Sequence, residues 1–286
     1  MDVVICKPGK GVTVMTFPEG RRVDVPCPFE WPCAPCSDGK RLAFCCAQCR
    51  DCLCMESFTL QPVCRMPAVA GVCELRFSTC GSFLFQLGSE GDCIHTRCIE
   101  TGDLLYAAPV GVFPRCMRQD ASGERILCAG GALNEITLLS APDLTLLHKN
   151  ETHQPCFYAD FCQNGLVLVC AVECGDIQSE VCTLSADGEK LRKIVRFSGP
   201  PCALCVCDEG TSALVSTGAG LSKIGLLNGK VLWTQPQWSL CTRVECRGKW
   251  ALVSGTTDGG VWLLEHARPY RQYLLDSAAD SQACFA

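Results

Sequence analysis

The side chains with most chemistry to offer are the cysteines, 27 in a chain of 286 residues. Thiolates bind soft metals and exchange disulfides. The densest group is Cys33, Cys36, Cys45, Cys46, Cys49, Cys52 and Cys54. It contains Cys33-x-x-Cys36 and Cys46-x-x-Cys49-x-x-Cys52, spacings at which a tight loop brings two thiolates to one ion. Cys46, Cys49, Cys52, Cys33 and Cys36 are therefore candidate metal ligands, with zinc or an iron–sulfur cluster as the group they would hold. A competing reading takes the same segment as a cysteine-rich hairpin. Cys45 and Cys46 close one apolar run, Cys52 and Cys54 open the next, and Cys49 falls in the turn. None of His95, His148, His153 or His266 is near in sequence. The hairpin reading leads, and no cofactor is expected. Redox use of Cys33-x-x-Cys36 lacks the following helix that lowers a thiol pKa in such motifs.

A second cysteine pattern positions the first. Cys33, Cys73, Cys116, Cys156, Cys202, Cys241 and Cys284 recur at gaps of 40, 43, 40, 46, 39 and 43 residues. Each opens a short strand, followed by a turn and a strongly apolar run such as Leu42–Cys45, Ile126–Ala129, Leu166–Val172 or Ala213–Ser216. A period of about 40–45 residues with several strands per unit is that of a propeller blade. Continuous apolar runs suit strands buried on both faces. Amphipathic helical periodicity is missing.

The ends complete each other. Cys284 leaves room for one strand only. Val3–Cys6, Gly11–Met15 and Arg22–Val25 supply three strands before Cys33. One strand plus three make a closing blade, which removes free sheet edges inside the ring. The expectation is an all-β, seven-bladed β-propeller of four-stranded blades in one domain. Its blades span about 27–69, 70–111, 112–153, 154–199, 200–238 and 239–275, closed by 1–26 with 276–286.

The last full unit is the clearest. Leu252, Ser254, Gly255, Asp258, Gly259, Val261 and Leu263 follow an apolar–Ser–Gly, Asp-Gly, apolar-strand pattern. The segment Cys73–Gly81 repeats its first strand and turn. In these residues the chain resembles WD40-like propellers, a group that includes quinoprotein-like propellers. Leu264-Glu265 stands where the Trp-Asp pair would be, and the Gly-His dipeptide is missing. The resemblance is thus to that broad superfamily. It implies a rigid disc whose loops present a face to a protein or peptide.

The cysteine column could line the channel and hold a soft metal, or fill small apolar slots. Strand phase favours packing. Cys156, Cys202 and Cys241 each lie five residues before the last apolar residue of their strand, but Cys73 lies four before Phe77. A slip of one residue reverses the face.

Composition excludes several classes. Hydrophobic residues make up 48%, charged residues 19%, and net charge is −5. No basic stretch is long enough for nucleic acid, and no apolar stretch for a membrane helix. The N-terminus lacks the basic and apolar regions of a signal peptide. Such a chain is expected to be cytoplasmic, monomeric and reduced, with Cys used as a small hydrophobe. Catalytic motifs are missing: no Gly-x-Ser-x-Gly, no His-Glu-x-x-His, no phosphate loop. No catalytic residue is assigned. Asp38, Asp120, Asp176, Asp187 and Asp258 read mostly as turn residues. The leading function is a non-enzymatic interaction scaffold. The alternatives are a cysteine-rich metal- or cofactor-binding protein, and an enzyme or small-ligand propeller using the central channel.

Overall fold

The computed structural model describes the chain except Pro8, Pro26, Trp31, Ala47, Cys49, Gly131, Ala132, Leu133, His153, Gly175 and residues 186–189, 258–259 and 277–280. Seven four-stranded antiparallel sheets form a ring. Blade 1 joins Gln282–Phe285 to Asp2–Lys7, Gly11–Thr16 and Arg21–Val25, so the two ends of the chain close the ring as expected. Blade 2 runs Pro32–Ser37, Arg41–Cys46, Asp51–Glu56 and Pro62–Pro67. Blade 3 runs Val72–Phe77, Phe83–Gly88, Cys93–Cys98 and Leu104–Pro109. Blade 4 runs Cys116–Gln119, Arg125–Ala129, Glu135–Ser140 and Leu146–Glu151. Blade 5 runs Cys156–Cys162, Gly165–Cys174, Asp176–Ser185 and Leu191–Ser198. Blade 6 runs Pro201–Cys207, Ser212–Thr217, Gly220–Gly225 and Val231–Gln235. Blade 7 runs Arg243–Arg247, Trp250–Ser254, Val261–Glu265 and Arg268–Asp276.

The first strand of each blade touches its counterparts on both neighbours, so these seven strands form the inner wall. Second strands are buried on both faces, as in Leu42–Cys46. Outer strands are exposed, as in Leu104, Leu105 and Tyr106. Among the described residues helix is confined to two short 3-10 turns, Asp208–Gly210 and Pro236–Trp238.

The core is divided rather than central. Seven apolar clusters occupy the seven seams between blades. Strand alternation sends neighbouring residues to opposite seams. Leu84 packs against blade 2, and Phe85 against blade 4. Trp238 and Trp262 meet edge-on in the seam between blades 6 and 7, with ring centroids 6.0 Å apart.

Four inner strands carry bulges, at Cys33/Cys36, Val72/Glu74, Cys156/Tyr158 and Pro201/Ala203. Each inserts unpaired residues and resets the alternation. Cys73 and Cys202 sit in bulges, whereas Cys116 pairs regularly with Ala129, so counting back from the end of a strand does not fix the face a column cysteine takes.

Candidate interaction groove and central channel

The inner wall is charged. Glu74 and Arg76 come from blade 3, Arg118 from blade 4, Asp160 from blade 5, and Arg243 and Glu245 from blade 7. Each is committed to another blade's inner strand. Glu74 accepts the Met117 N–H at 2.6 Å and an Arg118 Nη1 hydrogen at 2.6 Å. Arg76 Nε donates to the Met117 carbonyl at 2.8 Å. Arg118 Nη2 reaches the Leu204 carbonyl of blade 6 at 3.1 Å. Asp160 accepts the Val206 N–H at 2.9 Å. Arg243 donates to the Pro35 carbonyl at 2.8 Å, and Glu245 accepts the Phe285 N–H at 3.3 Å. Inner strands have no hydrogen-bonded neighbour on the channel side, so side chains supply the cross-blade bonds that backbone ladders cannot. Arg118, Val244 and Glu245 line both of two cavities along the inner wall, of about 180 and 290 Å³.

Two carboxylates of the inner wall, Glu74 and Asp160, respond oppositely. Burial pushes the Glu74 carboxyl up, but Arg118, Arg76 and Arg243 overcome it and hold it below the ordinary range. Burial also pushes Asp160 up, and there it prevails, because the nearest approach of Arg118 Nε is 3.7 Å.

Beside the channel a groove of about 1440 Å³ runs between blades 4 and 5 and touches blade 6. Ile136, Leu138, Phe161, Leu166 and Leu184 form an apolar floor. Its polar rim includes Gln119, His148, Asn150, Gln163 and Asn164. Leu147, on the outer strand, is 49% exposed at the lip. Arg125 stacks over Phe161 at 5.4 Å and bonds Asp120 at 2.8 Å. The turn beneath is fixed by Asp120, which accepts the N–H groups of Glu124 and Arg125 at 3.1 Å each. No sequence motif marks this groove, because three blades build it.

Of the candidate metal ligands, Cys33, Cys36 and Cys52 share one seam and Cys46 packs into another. Cys45 is paired opposite Cys52, and Cys46 opposite Asp51. Cys46 therefore packs into the seam between blades 1 and 2, and Cys52 into that between blades 2 and 3. Cys33, Cys36, Cys45, Cys52, Cys54 and Cys64 share this second seam with Leu75, Phe77 and Leu84. Cys49 lies outside the described residues. Burial pushes the Cys54 thiol to about 12, and raises Cys36 and Cys45 as well. Of the column, Cys116 and Cys156 lie in the blade 4–5 seam, Cys241 in the 6–7 seam and Cys284 in the 1–2 seam.

The donors that do converge lie elsewhere. Among the described residues, Cys207, Asp208 and His266 bring their ligand atoms within 4.8 Å of one another. Asp208 Oδ2 also meets Lys223 Nζ at 2.7 Å. His266 Nε2 lies 2.7 Å from the Gly248 carbonyl, which can only accept, so Nε2 carries the hydrogen. Nδ1 is then an acceptor for Lys223 Nζ at 3.2 Å. The lysine ammonium fills the cation position of this cluster. These residues come from distant strands of blades 6 and 7, and the sequence offers no spacing that joins them.

No protein-family model matches the chain, and no curated protein sequence matches it. Solved structures do. Hydrazine synthase of Kuenenia stuttgartiensis aligns with a TM-score of 0.72 at 11% identity over 90% of this chain and 90% of that one. The Cps50 (Swd1) β-propeller domain of Myceliophteria thermophila aligns with a TM-score of 0.56 at 15% identity, over 69% of this chain and 65% of that one. At such identities the likeness is one of fold, and that fold is a seven-bladed β-propeller.

Proposed function

We propose that this propeller is a non-enzymatic interaction scaffold that docks an extended segment of a protein partner in the groove between blades 4 and 5. The groove carries the reading. Small-molecule sites occupy about 300–1,000 Å³, and this one holds about 1440 Å³. An apolar floor with Gln, Asn and His at the rim suits apolar side chains below and peptide amides above. The channel offers less to a substrate. Its carboxylates and arginines already bond the neighbouring inner strands.

The test pans a displayed peptide library against the folded chain and measures recovered peptides by fluorescence polarisation. Binding should weaken at least tenfold in Leu147→Glu, a change at an exposed position, and in Leu138→Glu. Peptides indifferent to both changes, or no binders at all, would overturn the reading.

A further inference from the structure

The groove between blades 4 and 5 is unbalanced in charge. Its lining holds the carboxylates of Asp120, Asp160 and Glu209, and the guanidinium of Arg125 alone to set against them. Arg125 is committed to Asp120, at 2.8 Å. The surplus is therefore Asp160 and Glu209. Both lie where the groove touches blade 6: Asp160 accepts the Val206 N–H, and Glu209 follows in the turn that ends the same strand.

That turn is strained. Asp208, Glu209 and Gly210 are all left-handed, at φ +50°, +54° and +88°. Glycine takes this conformation freely and glutamate does not. The turn is held from two sides. Asp208 accepts from Lys223 Nζ at 2.7 Å and from the Ser212 hydroxyl. The Gly210 carbonyl accepts the Gln163 N–H of blade 5 at 3.2 Å, so tightly that a Cβ on Gly210 would lie 2.6 Å from that nitrogen. Glu209 is thereby displayed at the groove's edge, exposed, with no partner for its carboxylate among the described residues.

Asp160 lies deeper, 13% exposed, and Arg118 comes no nearer than 3.7 Å. Burial raises its carboxyl against that distant guanidinium. A further cation is what both carboxylates lack. An acidic segment would meet like charge here, and so would a nucleic acid.

Taking the groove as the docking site proposed above, we infer that the segment it takes is basic as well as apolar. Apolar side chains lie on the floor of Ile136, Leu138 and Phe161. A lysine or arginine reaches the blade 6 end, where Glu209 pairs with it and Asp160 adds negative charge behind.

The test uses peptides recovered on the folded chain whose affinity falls in Leu147→Glu, which places them in the groove. Each should carry a lysine or arginine. Glu209→Gln should weaken binding about threefold, the size of an exposed ion pair, and Glu209→Lys about tenfold. Peptides with Met in place of the basic residue should bind the native chain and Glu209→Gln alike. Binding should also weaken several-fold between about 0.1 and 1 M salt, where the screening length falls from about 10 to 3 Å. Glu209 is exposed and unpaired, so unfolding midpoints should not move. Groove-bound peptides without a basic residue, or with affinities that ignore both Glu209 variants, would overturn the basic segment and leave docking in place. Recovery of no peptide sensitive to Leu147→Glu would remove both.

Discussion

Two seams of the same ring use one device and end differently. Between blades 2 and 3, Asp38 accepts the Arg41 N–H at 2.7 Å and its guanidinium at 3.1 Å, and Arg41 stacks over Phe77 at 5.4 Å. Between blades 4 and 5, Asp120, Arg125 and Phe161 repeat this, again with a stacking distance of 5.4 Å. Arg41 goes on to donate to the Gly81 carbonyl across the seam. At the outer end Gly102, at φ +78°, packs so tightly on blade 2 that a Cβ there would lie 2.8 Å from Cys64 Sγ. Six thiols, with Leu84 and Phe77, fill the space between. The second seam keeps its apolar floor but leaves the groove open above it, with Arg125 48% exposed against 20% for Arg41. Both seams hold buried cysteines together with Leu and Phe, so the difference lies at the outer end: Gly102 packs against blade 2 in the first, whereas Leu147, His148 and Asn150 line the open groove of the second.

The largest test of this contrast is truncation of each seam's leucine. Leu84→Ala removes a fully buried side chain from the closed seam and should cost about 3 kcal/mol. Leu147→Ala, at the groove lip, should cost under about 0.5 kcal/mol. Urea unfolding midpoints decide it, and equal losses would break the contrast. Next comes the pH response of the two channel carboxylates. The folded pKa of Glu74 lies below its unfolded value, so it stabilises above the unfolded pKa and loses that stability as pH falls through the folded one. The folded pKa of Asp160, which borders the groove, is raised. Its contribution is greatest below the unfolded pKa and is lost as pH rises through the folded value. Glu74→Gln should cost about 2 kcal/mol at pH 7 and flatten the acid limb of stability. Asp160→Asn should change stability at pH 7 by under about 1 kcal/mol. Thermal melts from pH 3 to pH 7 would show both.

The sevenfold ring was legible because every blade repeats one grammar, and the joining of the C-terminal strand to the three N-terminal strands follows from counting strands at the two ends. The cysteine phase was not, because bulges at Val72/Glu74 and Pro201/Ala203 change alternation without a residue that announces them. Nor were the channel charges. Glu74, Arg118 and Asp160 each look like an outward-facing polar residue of a short strand, and only ring closure turns them inward. The grouping of Cys207, Lys223 and His266 depends on two blades meeting, which spacing along the chain does not encode. Cys46 and Cys52 show the converse. Their spacing looks like a ligand pair, and strand alternation sends them to different seams.

The smallest expected effect separates closure from binding most cleanly. Arg41→Ala removes a guanidinium that bonds across the closed seam and covers Phe77, and it leaves the Gly81 carbonyl without that donor. It should cost about 1 kcal/mol and leave peptide affinity unchanged. Arg125→Ala removes the same group from the open seam. Asp120 keeps the Glu124 and Arg125 N–H groups and the Ser122 hydroxyl, so stability should move by under about 0.5 kcal/mol. The loss should appear in binding instead, because Arg125 roofs Phe161 on the groove floor. A several-fold drop in affinity without a shift in the unfolding midpoint would mark the groove as the working surface. The reverse result would mean that Arg125 closes its seam as Arg41 does, and that the gap between blades 4 and 5 is only loose packing.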